Sequence, residues 1–323
     1  LDARSGQIDN RAGRIVGDQL DVRAGSLDNR SAGLLAGGVP GVSVVLNDQL
    51  LNTQGRIQSE GDLLLTGKRL GNSAGILLGK ALTVTAQDLD NSSKGALVSN
   101  DGDITLNISN LLTNTNSVID AAERSVLVKA LTTLDNQGGT LRGKRLDIAA
   151  QTLDNDQGQL LAGNQGVSYR GQDLSNRQGM ILSGGAAVDL TLGTLNNQGG
   201  TVQGDSLTVT ADSVDNSQDG TKAGALTALK SDLQLTVEAL TNRGGKLFGK
   251  EHVTVSGATL DNSANGQISG NQLSLTSRTQ LTNQGGLIES NQGLTFNGGN
   301  LDNSAGGQLR AMEGASSTLT VTD

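Results

Sequence analysis

The sequence predicts an all-β chain folded as a right-handed parallel β-helix, a β-solenoid of about fifteen coils. Three observations carry that expectation. A Leu-x-Asn type of triplet, usually Leu-Asp-Asn, recurs along the whole chain at steps of 19 to 26 residues. Between triplets, aliphatic and polar residues alternate with period two, the spacing of a strand with one buried face. The 323 residues include one Tyr, two Phe and no Trp, against 46 Gly. An ordinary globular core of that length draws on many more rings, whereas a narrow tube of stacked coils has little room for them.

The Asn of the triplet falls at Asn10, Asn29, Asn52, Asn72, Asn91, Asn114, Asn136, Asn155, Asn176, Asn197, Asn216, Asn242, Asn262, Asn283 and Asn303. The shortest step, 19 residues, shows the bare unit. After Asn136 come Leu141, Gly143, Leu146, Ile148, Ala150, Leu153 and Asn155. After Asn197 the same places hold Val202, Gly204, Leu207, Val209, Ala211, Val214 and Asn216, and the units after Asn10 and Asn72 repeat them. No segment sustains the i, i+3, i+4, i+7 pattern of an amphipathic helix. A coil of about 20 residues cannot bury its own apolar face, so neighbouring coils must do it by stacking.

Asn tolerates left-handed backbone angles, which places it at a corner between strands. Stacked at the ~4.8 Å strand spacing, each of its amides can donate to the next and accept from the last. The fifteen Asn residues are therefore read as a structural ladder along the tube. The Gly seven residues later, as in Gly17, Gly79, Gly143 and Gly204, is read as a second corner. The longer steps predict outward loops, clearest at 219–223 and at 37–41 around Pro40. Fifteen coils at ~4.8 Å predict a rod of roughly 70 Å. Residues 1–323 are read as a single repeat domain, excised from something longer because the chain begins inside a repeat.

Composition narrows the function. The net charge of −8 is spread along the chain, which disfavours nucleic acid as a partner. There is no Cys, hence no disulfide framework and no Cys-based metal site. No apolar run reaches the ~20 residues of a membrane-spanning helix, and no cofactor is expected.

Candidate chemistry is sparse. The Asp of Leu-Asp-Asn could form a calcium column, but the glycine-rich nonapeptide of such sites is missing. Leu51, Gly71, Thr113, Ser175, Asn196, Thr241 and Thr282 also take its place, so it reads as an exposed turn residue. His252, beside Glu251, is the single His and reads as a solvated side chain. Glu123 and Arg124 read as a solvated turn, and no catalytic residues are expected. Arg142, Lys144 and Arg145, with Lys68 and Arg69, are the candidate patches for an anionic ligand such as a sulfated glycan. Tyr169, Phe248 and Phe296 occupy strand positions as core fillers or single surface rings. Outward threonines, such as Thr83, Thr85, Thr208 and Thr210, are interrupted by Lys129, Asp147 and Asp189 and do not make a flat ice-binding array.

The unit L-D-N-x-x-G-x-L-x-G-x-x-L-x-L-x-A-x-x-L, as in Leu134–Leu153, resembles the haemagglutinin repeats of filamentous haemagglutinin-like exoproteins, and the resemblance runs through essentially the whole chain. It implies a right-handed β-helix, secretion through an outer-membrane two-partner transporter, and a place on the cell surface of a Gram-negative bacterium. The family's N-terminal secretion domain and C-terminal toxin domain are not recognisable in this stretch. The expected role is a non-enzymatic stalk that projects a receptor-binding or toxic region for adhesion or contact-dependent growth inhibition. The alternatives are a side-on glycan- or protein-binding adhesin module, with a target-cell receptor or glycan as partner, and a β-helical carbohydrate-active enzyme. The chain is expected to be monomeric, with end-to-end association at high concentration through unpaired strand edges.

The ladder assignment is testable in one coil. Asn155→Leu is expected to lower unfolding free energy by about 1–3 kcal/mol more than Asp154→Ala, because it leaves buried polar partners unmatched. Urea denaturation compares the two, and equal effects would contradict an inner position for Asn155.

Overall fold

The computed structural model describes residues 1–312 and 317–322. The expected 1–323 domain therefore includes residues 313–316 and 323, which lie outside the described residues. Every regular element among the described residues is a strand, and the strands run parallel, stacked coil on coil as a β-solenoid of about fifteen turns. Among the described residues no helix is long and apolar enough to cross a membrane. The chain forms two compact units, residues 1–154 with 158–163, and residues 155–157 with 164–323.

In the first unit, one coil shows the plan plainly. It has three short strands, Arg56–Ser59, Leu63–Thr66 and Arg69–Gly71. Period-two alternation sends Ile57, Leu63, Leu65 and Leu70 inward, and all four are buried. Each then stacks on its equivalent in the following coils. Ile57 continues as Leu77, Leu97, Ile119, Leu141 and Leu160. Leu70 continues as Leu89, Leu112, Leu134 and Leu153. The core is thus built of aliphatic columns, four of them through this coil and a further one through Ala86 and Ile108 in later coils, and each fully buried Leu or Val contributes about 1.5–3 kcal/mol.

The second unit repeats the plan. Ile181, Val202, Leu226, Leu247, Ile268 and Ile288 form one column. Another runs Tyr169, Leu190, Val209, Leu235, Val255, Leu275 and Phe296. Tyr169 and Phe296 are thus core fillers in one column, separated by aliphatics, whereas Phe248 is 38% exposed. The Tyr169 hydroxyl donates to the Asp173 carbonyl at 2.8 Å, and burial holds its pKa above the ordinary phenol value. Phe296 abuts Gly298, where an added Cβ would lie 2.9 Å from the ring.

Two corner readings need correction. The ladder Asn residues are not the left-handed ones; positive φ falls two residues later, at Ala12, Gln54, Ala74, Gln157 and Gln178, with φ of 52° to 58°. The chain reverses in a tight turn closed by a bond from the residue three places on, such as Gly75 N–H to Asn72 C=O at 2.9 Å. The third residue of that turn takes the left-handed angle while Asn stays extended and aims its side chain inward. The second corner does lie beyond the Gly seven residues after Asn, but Gly17, Gly79, Gly143 and Gly204 have no positive φ. They are needed for close approach: a Cβ on Gly79 would lie 2.6 Å from the Ala81 carbonyl oxygen.

The inserts behave in two ways. Residues 219–223 make a small outward excursion pinned by an antiparallel bridge between Asp219 and Lys222. Residues 37–41 are not a separate loop. They form a bulge inside the strand Leu34–Leu51, with Gly37 opposite Gly17 and Gly41 opposite Gln19. The bulge carries Val39 outward into solvent.

These constraints separate two kinds of glycine. Gly75→Ala would set a Cβ 2.2 Å from the Asn52 carbonyl oxygen and is expected to cost about 1–3 kcal/mol through overpacking. Gly220→Ala meets nothing within 4 Å and is expected to cost only about 1 kcal/mol, for its left-handed φ. Urea denaturation of the two variants measures the difference.

Candidate functional site

The feature present in every coil is the asparagine turn, and its chemistry starts with one side-chain amide. In the first unit the Nδ2 of Asn10 donates to Oδ1 of Asn29 at 2.6 Å. The same bond runs from Asn29 to Asn52, Asn72, Asn91, Asn114 and Asn136 at 2.7–2.8 Å. In the second unit it runs from Asn155 through Asn176, Asn197, Asn216, Asn242, Asn262 and Asn283 to Asn303, again at 2.7–2.8 Å. All but Asn303 of these fifteen side chains are buried.

Most of these amides also bind their own turn and the next coil. Asn72 Nδ2 donates to the Gly75 carbonyl at 3.1 Å and to the Ala96 carbonyl at 3.3 Å. Its backbone N–H donates to the Asp90 carbonyl at 2.6 Å. Buried polar groups with full sets of partners strengthen a structure, and chains of such bonds polarise one another in the same sense. The Gly closing each turn, at 33, 55, 75, 139, 179, 200, 245 and 286, sits against a ladder carbonyl that leaves no space for a Cβ. Its place was visible in the repeat as the Gly three residues after Asn, or four after it at Gly33, but spacing alone did not reveal its role.

The Asp beside the ladder is more than an exposed turn residue. Its carboxylate accepts the backbone N–H two residues on, at Asp9, Asp28, Asp90, Asp135, Asp215, Asp261 and Asp302, over 2.9–3.2 Å. This Asx turn pre-shapes the corner. Asp28 is itself buried and holds Arg30 at 2.6 Å. The guanidinium of Arg30 lowers the Asp28 pKa below the ordinary carboxylate value. Among the described residues, no three His, Cys, Asp or Glu side chains are placed to hold a metal ion.

The basic clusters are largely neutralised by carboxylates a coil away or on the same strand. Arg142 Nε donates to Asp120 at 3.0 Å. Burial pushes the Asp120 pKa up, but Arg142 and the Ala122 N–H outweigh it and hold the carboxyl low. Arg145 pairs with Asp147 at 3.0 Å and Arg69 with Asp48 at 3.0 Å. Lys144 and Lys68 make no ion pair among the described residues. The candidate anion patch at Arg142, Lys144 and Arg145 is therefore mostly self-compensated. Arg124 pairs with Asp101 at 2.9 Å. The His252 Nδ1 lies 2.9 Å from Asp232 on an exposed surface.

An inner amide ladder, stacked aliphatic columns and turns of fixed form define a parallel β-solenoid repeat protein. Comparison with known proteins makes the assignment specific. The chain belongs to the haemagglutinin-repeat family: the family profile matches residues 1–39, 41–138, 127–165, 142–191, 186–247, 231–285 and 281–312. It is similar to the tRNA nuclease CdiA of Escherichia coli O6:K15:H31 (strain 536 / UPEC), with 30% identity over 208 residues. That match covers 60% of this chain and 6% of the relative. It is also similar to the deoxyribonuclease CdiA of Dickeya dadantii (strain 3937), with 30% identity over 288 residues covering 85% of this chain and 8% of the relative. The chain thus spans less than a tenth of each relative. No solved structure matches it significantly.

The Asp28 ion pair carries a pH signature. Its folded pKa is depressed, so its contribution is present above the ordinary carboxylate range and is lost as pH falls through the lowered value. Asp28→Asn is expected to lower the thermal midpoint at pH 7, and the gap to the parent is expected to close in acid. Thermal melts by circular dichroism across pH 2–7, an interval chosen to bracket the carboxylate range, read this out.

Proposed function

We propose that this chain is part of the stalk of a filamentous haemagglutinin-like protein displayed on the surface of a Gram-negative bacterium. It reaches that surface through an outer-membrane two-partner transporter. There it projects a receptor-binding or toxic region for adhesion or contact-dependent growth inhibition, a virulence function when the target is a host. The stretch itself performs no catalysis; the nuclease activities in the relatives' names belong to those proteins, and any toxic activity of the parent is assigned to another region.

One observation carries the reading. The features repeated in every coil are the inner amide, the turn and the aliphatic columns, all of which hold a coil to its neighbours. Charged and aromatic side chains change from coil to coil. A repeat protein whose units touch only their neighbours gains stability almost additively with each unit and folds by propagation. That suits a chain exported unfolded and assembled outside.

Excision of whole coils tests the proposal. Removing residues 73–91, one 19-residue step from Asn72 to Asn91, rejoins equivalent turns and is expected to leave folding and surface display intact. Target-cell inhibition or adhesion by the full-length parent is expected to fall progressively as further coils are removed. Complete loss on removal of any single coil, with display unchanged, would instead identify a localised site.

A further inference from the structure

The second unit carries a groove that the stalk role does not use. It opens at the second corner across three successive coils and has a volume of about 550 Å³, within the ~300–1,000 Å³ range of small-ligand sites. Its wall begins with Phe248. Outward positions along that column hold Thr227, Phe248, Ser269, Glu289 and Arg310, so a ring stands where neighbouring coils place polar side chains. Tyr169 and Phe296 are buried in the core, which leaves Phe248 as the exposed aromatic among the described residues.

Around the ring, Lys250, Glu251, Asn271, Glu289 and Asn291 line the same groove. Glu289 is paired with Arg310 at 3.4 Å. The side chains of Lys250, Glu251, Asn271 and Asn291 make no hydrogen bond or ion pair with the described residues. The Glu251 backbone is nevertheless held in place by its N–H bond to the Ser231 carbonyl at 3.2 Å. The set offers amide donors and acceptors, carboxylate acceptors and one ammonium donor, beside an apolar ring face.

We propose that this groove binds a neutral, unbranched pyranose oligosaccharide. The C–H face of one sugar lies on the Phe248 ring, and its hydroxyls are matched by Asn271, Asn291 and Glu251. A pyranose presents an apolar face and a rim of groups that both donate and accept, and the groove supplies the complement of each. Charge selects against the alternatives. Lys250 and Glu251 offset one another, and Glu289 is offset by Arg310. A sulfated or phosphorylated chain therefore meets no net positive field. The groove crosses coils stacked at the ~4.8 Å strand spacing, a rise comparable to one sugar of an extended glycan, so a linear chain keeps successive units beside successive coils. This site goes beyond the stalk function and does not depend on it.

The test uses the full 323-residue chain with lactose, cellohexaose, chitohexaose and a heparin hexasaccharide as probes, monitored by saturation-transfer NMR and titration calorimetry. Binding of at least one neutral sugar is expected, weakened tenfold or more by Phe248→Ala and retained by Phe248→Tyr. The double variant Asn271→Ala with Asn291→Ala is expected to lose tenfold or more as well. All variants sit on the exposed wall, and unchanged thermal melts verify that they fold. Failure to bind any neutral probe, binding of heparin alone, or neutral-sugar binding undiminished by Phe248→Ala would each overturn the assignment.

Discussion

Everything in this fold answers to one hydrogen bond, from the Nδ2 of an asparagine to the Oδ1 of its counterpart in the next coil. For that bond to form, the Asn must stay extended and face inward. The backbone then reverses within three residues, which throws the left-handed angle onto Ala12, Gln54 or Gln178. The carbonyls that the turn folds inward come so close to the next residue that Gly is required there. The Asp preceding the Asn supports the same geometry from outside by accepting an N–H two residues on. Backbone strain at non-glycine residues is thus held in place by a buried polar network, and strained angles persist only where surroundings over-determine them.

Much of this was legible in the sequence, because each element is repeated. The Leu-x-Asn triplet, the period-two strands and the scarcity of rings gave the solenoid and its coil count. What was not legible involves relations between coils. Arg142 and Asp120 lie 22 residues apart, and inserts of varying length conceal such pairs until the register is known, so the Arg142–Lys144–Arg145 cluster reads as free charge when taken alone. The left-handed residue was misplaced because Ala and Gln do not advertise positive φ as Gly or Asn does. The outward aim of Phe248 follows from its parity against buried Leu247, but the groove around it exists only once three coils are stacked.

The division of labour between inside and outside is correspondingly sharp. Inward positions are held mostly by aliphatics and Asn, with a few serines, the two rings Tyr169 and Phe296, and glycines at points of close approach. Outward positions carry threonines, ion pairs and inserts that alter from coil to coil, and most exposed ion pairs contribute little to stability. The outer wall is therefore chemically free while the inner wall is not, so a groove such as that around Phe248 can be added to the repeat without disturbing its columns.

The placement of Asp next to Asn has a last consequence. At eight of the fifteen turns the residue before the ladder Asn is Asp. If a coil docked one residue out of step, every aliphatic would turn to solvent, and at those turns a carboxylate would enter the line of amides. A carboxylate accepts hydrogen bonds but has none to donate, so the chain of bonds would stop there with a buried charge. At those eight turns the preceding Asp therefore penalises a coil that docks one residue out of step, because the misplaced carboxylate has no hydrogen-bond donor to pass onward.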